Sequence, residues 1–185
     1  MRKLILSMVM SLDGFIETRD KDISWHIWDD EMQAYMADFL EGCDELLYGR
    51  KAYEMMIDYW PEAEKNMDHS KEHRNFASKM NSLNKVVYSR TLNEATWNAR
   101  IVKENIIDEV IDMKKRGGKN IVLLAGSTLA ATLIKHNVID EYRIIVNPVV
   151  LGDGQPLFKE RPQAIELVKT ESFQCGNVLL IYKAI

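Results

Sequence analysis

Four short turns hold the residues best suited to chemistry: Ser11-Leu12-Asp13-Gly14, Gly49-Arg50-Lys51, Ser89-Arg90-Thr91 and Ala125-Gly126-Ser127-Thr128. In the last, an apolar stretch ends at Ala125, Gly126 lets a ligand approach the backbone, and Ser127 can cap a new helix. The free N–H groups of a helix start attract an anion. A plain strand-to-helix turn without a ligand fits the same residues, and the turn is neither a GxGxxG fingerprint nor a Walker loop. Arg50 and Arg90 each follow a short apolar strand. Arginine grips phosphate through paired hydrogen bonds and keeps its charge. Two arginines beside a helix start suit a ligand with several phosphates, such as a dinucleotide. As solvated surface groups they need no ligand at all.

Asp13 directly follows the first apolar run. It can hydrogen-bond a substrate amine, or it can close its own turn. Trp25 and Trp28 fall in a predicted loop facing the strand ends, where a flat aromatic substrate can stack. Trp60, Trp97 and the ten methionines read as core or pocket lining. His69 and His73 are four apart and can share a helix face, but no third ligand pattern joins them, so no metal site is predicted. No GxSxG elbow and no HExxH occur. Cys43 and Cys175 make no CxxC and read as unpaired thiols in a reducing compartment.

These turns need rigid elements behind them. Residues 3–10 form an apolar run that suits a strand buried on both faces. Residues 11–28 read mostly as loop. The spacing of Met32, Tyr35, Met36, Phe39 and Leu40 predicts a helix from about Asp29 to Leu40, broken by Gly42. A short strand at 45–48 leads into a helix at about 51–59, stopped by Pro61. A second helix is predicted over 70–81, strands over 85–89 and 99–102, and a helix over 104–115 closed by Gly117-Gly118. A strand at 120–125 turns directly into a helix at 127–136, and 142–150 is another strand. Strands at 164–174 and 177–183 flank Cys175-Gly176 and form an antiparallel hairpin. Alternating strands and helices argue for a mostly parallel sheet of about eight strands with helices on both faces, and the final hairpin adds an antiparallel strand.

The 185 residues make one α/β domain over 1–185, with no repeat and no linker. The chain is 46% hydrophobic and 28% charged, enough to bury a core. A net charge of −4 provides no overall field for nucleic acid or an anionic membrane. The basic, apolar N-terminus is interrupted by Ser7 and Ser11 and lacks a small-residue cleavage site, so a cytoplasmic protein is expected.

Six segments taken together resemble the dihydrofolate reductase superfamily, and within it the RibD C-terminal domain of riboflavin biosynthesis. They are SLDGFIE at 11–17, LLYGRKAYE at 46–54, VVYSRTL at 86–92, IVLLAGSTLAATLI at 121–134, VIDEYRI at 138–144 and NPVVLGDGQPLF at 147–158, in the family's order. The resemblance implies a dihydrofolate-reductase-like three-layer fold, a homodimer, and NADPH as hydride donor to a small-molecule substrate. It implies that Gly49, Arg50 and Lys51 contact the cofactor phosphates. Ser89, Arg90 and Thr91 would hold the 2′-phosphate side, and Ala125, Gly126, Ser127, Thr128 and Leu129 the pyrophosphate. Asp13 would sit near the nicotinamide and substrate. From the residues themselves, the proton donor is either Asp13 or a water, and Trp25 and Trp28 are the substrate-pocket candidates.

Two departures concern the substrate. The helix position where dihydrofolate reductases carry a pterin-binding carboxylate falls near Gln33. Residues 29–41 contain no Lys or Arg and five acids, so a phosphorylated substrate would meet repulsion there. The expectation is an NADPH-dependent reductase acting on a small heterocyclic or sugar-amine substrate. Its rivals are the 5-amino-6-(5-phosphoribosylamino)uracil reductase step itself, a nucleotide-binding protein without turnover, and a structural dimer without a ligand.

Overall fold

The computed structural model describes residues 1–159 and 163–185. Its strands are β1 (Leu4–Ser11), β2 (Phe15–Glu17), β3 (Cys43–Gly49), β4 (Asn84–Tyr88), β5 (Ala99–Val102), β6 (Asn120–Leu123), β7 (Glu141–Asn147), β8 (Gln155–Pro156), β9 (Ile165–Ser172) and β10 (Val178–Ala184). Its helices are α1 (Asp30–Glu41), α2 (Arg50–Ala63), α3 (Lys71–Ser82), α4 (Ile106–Lys115) and α5 (Ser127–Lys135). Eight strands form one sheet in the order β5-β4-β3-β6-β1-β7-β10-β9. β5 through β7 pair in parallel, and β10 runs antiparallel to both of its neighbours. β2 and β8 make a separate antiparallel pair.

Strand residues alternate between two apolar layers, as a pleated strand requires. Ile5, Leu46, Tyr48, Val87 and Val122 face one core with α1, α2 and α3. Leu4, Leu6, Leu47, Val86 and Leu123 face the other core with α4 and α5. The three-layer arrangement is the expected one, and the C-terminal hairpin forms one edge of the sheet.

Element ends depart from expectation where local chemistry intervenes. Asp29 caps α1 by accepting from Met32 N, so the helix proper begins at Asp30. Pro61 does not stop α2, which continues to Ala63. It lies in the last turn, where Trp60 and Ala63 are buried and Asn81 Nδ2 donates to the Trp60 carbonyl. α4 starts at Ile106 because Asn105 takes a left-handed conformation, φ 55°. β7 ends at Asn147 because Pro148 has no N–H for the ladder. The predicted loop 11–28 contains β2, which pairs with a two-residue partner too short to show as periodicity. Among the described residues no helix is long and apolar enough to cross a membrane.

Candidate functional site

Strand order sets where a ligand can sit. The chain leaves β3 through α2 and α3 toward β4 on one side, and leaves β6 through α5 toward β7 on the other. β3 and β6 are neighbours, so a crevice opens between their carboxyl ends, the usual ligand position in such sheets. Both helices that start there are capped by glycine, Gly49 for α2 and Gly126 for α5, and neither has a side-chain cap. The N–H groups of both first turns therefore have no partner within their own helices. Gly126 has φ +107°, a conformation that side chains other than glycine rarely adopt. A Cβ built there would stand 3.7 Å from Ala52 Cβ and 3.8 Å from Gly49 N. The two helix starts are thus directly adjacent, and a side chain at Gly126 would fill the seam between them.

A cavity of about 970 Å³ opens from this seam. Gly49, Arg50, Lys51, Ala125, Gly126, Ser127, Thr128 and Leu129 all line it. Arg50 Nη1 donates to both carboxylate oxygens of Glu54, at 2.9 and 3.1 Å. Both side chains are exposed, and such a pair contributes at most about 1 kcal/mol. Arg50 can exchange it for a phosphate at small cost. The parallel register pairs Gly49 with Tyr88, which sets Ser89 level with Arg50. Ser89 is buried, and its hydroxyl accepts from Thr91 N and Leu92 N, closing the turn that displays Arg90 and Thr91 to solvent. This loop flanks the helix starts without lining the cavity.

Two expected residues have other tasks. The Asp13 carboxylate accepts from Ser11 Oγ at 2.6 Å, Leu151 N at 3.1 Å and Gly152 N at 2.7 Å. The Ser11 hydroxyl foremost, with the two backbone donors, holds its carboxyl below the ordinary carboxylate range. Asp13 ties the β1–β2 turn to the 151–152 turn and is not among the residues lining the cavity. Trp25 also lies off the cavity; its Nε1 donates to the Asp22 carbonyl at 3.2 Å and its ring edges against His26 at 4.3 Å. Trp28 does line the cavity and packs on Phe76, with centroids 6.0 Å apart.

The far end of the cavity gathers residues from β1, β7, α1, α2 and α3, of which Ser7, Val9, Tyr59 and Ile145 are not singled out as site residues by the sequence. Ser7 and Val9 of β1 and Ile145 of β7 line it from the sheet, and Met36 from α1. Tyr59 and Trp60 of α2 and His73, Phe76 and Met80 of α3 complete it. The signal was present in the spacing: 73, 76 and 80 share one helix face, as do 56, 59 and 60. His69 and His73 do share a face, stacked at 4.1 Å, but His73 Nε2 is hydrogen-bonded to the Tyr59 hydroxyl at 2.9 Å. Burial, then the nearby His69 ring, holds His73 below the ordinary imidazole range, against the pull of Asp30. Among the described residues no three His, Cys, Asp or Glu side chains gather in a metal-binding group.

The acids of α1 are directed away from the cavity. Asp29 caps the helix, Asp30 accepts from Ser70 Oγ, Glu31 accepts from Gln174 N, and Glu41 pairs with Lys79. None of the five lines the cavity. Gln33 is buried off it, with Nε2 3.5 Å from the Trp28 carbonyl. The expected repulsion of a phosphorylated substrate by α1 is therefore not the controlling feature. What faces the cavity from this direction is Trp28 and Met36.

This architecture is shared with known proteins. The chain is 39% identical over 183 residues to the uncharacterized Bacillus subtilis protein YyaP, covering 98% of this chain and 94% of the relative. Among solved structures, a Shewanella sp. PV-4 protein provisionally assigned to riboflavin biosynthesis superposes with TM-score 0.77 at 22% identity, covering 99% of both chains. Dihydrofolate reductase from Enterococcus faecalis, solved with NADP(H), superposes with TM-score 0.65 at 15% identity, covering 98% of this chain and 96% of that one. Likeness at such low identity shows a common fold. The model of the RibD C-terminal domain matches residues 2–181, nearly the full length, and the chain belongs to that family.

Proposed function

We propose that this chain is an NADPH-dependent reductase that delivers a hydride to a small flat acceptor. One observation carries the reading: two glycine-capped helix starts, side by side at the strand-order switch point, open onto one cavity large enough for a nicotinamide and an acceptor. The family and its solved relatives, one of them holding NADP(H), support it. The cofactor, when bound, supplies the hydride. The first-turn N–H groups of α2 and α5 would bind the pyrophosphate, assisted by Arg50 and Lys51. Arg90 and Thr91, displayed beside Gly49, would take the 2′-phosphate. Ser7, Val9 and Ile145 would form the surface on which the two reacting rings are aligned, which supplies proximity and orientation. With Asp13 committed to its loop, the accompanying proton is drawn from solvent.

The test is a titration of the purified protein with NADPH and NADH, followed by tryptophan quenching and energy transfer to the dihydronicotinamide. Saturable binding that favours NADPH is expected. Failure of both to bind at millimolar concentration overturns the reading. Binding without oxidation by any acceptor would instead assign a nucleotide-binding protein without turnover.

We further propose that two copies associate through β9. It is an edge strand exposed along nearly its whole length, with Leu167 and Val168 more than half exposed. An uncovered edge of this kind is a template for another strand. Light scattering should give twice the chain mass, and Val168→Lys should return it to one.

A further inference from the structure

The two ends of the cavity differ in chemistry. α2 joins them: Arg50 and Lys51 stand at its start, and Tyr59 and Trp60 come eight to ten residues later, roughly 12–15 Å along the axis at about 1.5 Å per residue. Around that far end the rings form a box. Trp60 meets Phe76 edge-on at 4.9 Å, Trp28 lies 6.0 Å from Phe76, and Tyr59 meets Trp60 edge-on at 4.9 Å. Met36, Met56 and Met80, soft side chains that adapt to flat guests, also line the cavity. The only cations on its described lining are Arg50, Lys51 and Lys21. Lys21 is exposed in a tight turn, its N–H bonded to the Thr18 carbonyl. None of the box residues is a Lys or Arg, so a phosphate held among the rings would lose its water without an ion pair from them, which is unfavourable. A flat ring loses little and gains stacking.

Resting on the reductase reading, we propose that the acceptor is a neutral, unphosphorylated planar ring held among Trp28, Trp60 and Phe76, with its polar edge read by the Tyr59–His73 pair. In that pair one partner donates and the other accepts, which leaves the hydroxyl capacity for one substrate atom. Burial holds the His73 imidazole below its ordinary range, which favours the neutral ring. This assignment departs from a phosphoribosyl substrate and needs no carboxylate at Gln33.

Binding is measured by calorimetry with and without saturating NADP⁺, which occupies the cofactor end. The probes are lumazine, lumiflavin, naphthalene and riboflavin 5′-phosphate; lumiflavin and the last share one ring system and differ in the phosphorylated tail. With NADP⁺ present, lumazine or lumiflavin should bind at least tenfold more tightly than riboflavin 5′-phosphate. His73→Phe and Tyr59→Phe, each checked for an unchanged unfolding midpoint, should weaken lumazine about tenfold and leave naphthalene unchanged. Equal or tighter binding of the phosphorylated flavin, binding of none of the neutral rings, or equal weakening of lumazine and naphthalene would each overturn the proposal. Ring binding in a protein that fails to bind NADP⁺ would count against the reductase reading alone and leave the box in place.

Discussion

Replacing Gly126 by alanine tests the cofactor end most directly. The residue sits at φ +107°, ψ 92°, and holding alanine there costs about 1–3 kcal/mol. The new methyl would lie at ordinary contact distance from Ala52 Cβ, 3.7 Å, and from Gly49 N, 3.8 Å, so no clash forces the backbone out of place. It would instead fill the seam where a phosphate oxygen must approach both helix starts. A hydrogen bond to a charged group contributes about 1.5–3 kcal/mol, so losing one weakens binding roughly 10- to 150-fold. Gly117→Ala is the control, since it has an ordinary φ and no atom within 4 Å of its would-be Cβ. The assay pairs an NADPH titration with thermal unfolding of both variants. Gly126→Ala should unfold several degrees earlier, at about 2–4 °C per kcal/mol for a domain of this size, and bind NADPH at least tenfold more weakly. Gly117→Ala should do neither. A folded Gly126→Ala protein that binds NADPH within threefold of the parent would refute the adjacent helix starts as the pyrophosphate site.

Arg90→Ala should weaken NADPH by tenfold or more and leave NADH nearly unchanged; equal loss for both would remove Arg90 from the 2′-phosphate. Asp13→Asn turns an acceptor toward Gly152 N into a donor, so the unfolding midpoint should fall while the pH profile of NADPH oxidation keeps its shape. A shifted profile would restore Asp13 to the chemistry. Lys85 is fully buried, with Nζ donating to the Asn81 carbonyl and resting 3.9 Å from the Trp97 ring centre. Burial lowers it from 10.5 to about 7, so between pH 7 and 10.5 the unfolded chain binds more protons and stability rises with pH. Lys85→Met should abolish that rise, read as urea midpoints at pH 7 and 9.5; an unchanged slope in the variant would show that the ring and carbonyl keep Lys85 charged.

The glycine-capped helix starts were legible in sequence because they depend on backbone. Gly126 after an apolar run and Gly49 before a helical stretch are local patterns, and strand order only had to bring them together. Asp13 stayed open between two uses in sequence, because the partners that engage its carboxylate, residues 151 and 152, lie far away in the chain. Trp25 and Trp28 looked alike for the same reason, and only packing against Phe76 separates them. The acids of α1 were counted correctly but their directions were not, since Ser70, Lys79 and Gln174 come from other elements. Pro61 was given too much weight because the burial of Trp60 and Ala63 overrides a poor helix former in a last turn.

The two halves of the cavity are built from different materials, and this bears on how the proposed activity can vary. The proposed cofactor end would use main-chain N–H groups at a switch point, which depend on strand order and two glycines rather than on particular side chains. The proposed acceptor end would use the side chains of Trp28, Tyr59, Trp60, His73 and Phe76, carried by the segment before α1, the last turns of α2, and α3. Exchanging those rings alters what stacks in the box without touching the sheet that carries the helix starts. The link between the halves is α2, whose first turn faces the phosphate end and whose last turns face the acceptor. A change in acceptor preference with unchanged NADPH affinity is therefore the expected behaviour of box variants. A coupled loss of both would mean that α2 transmits strain from one end to the other.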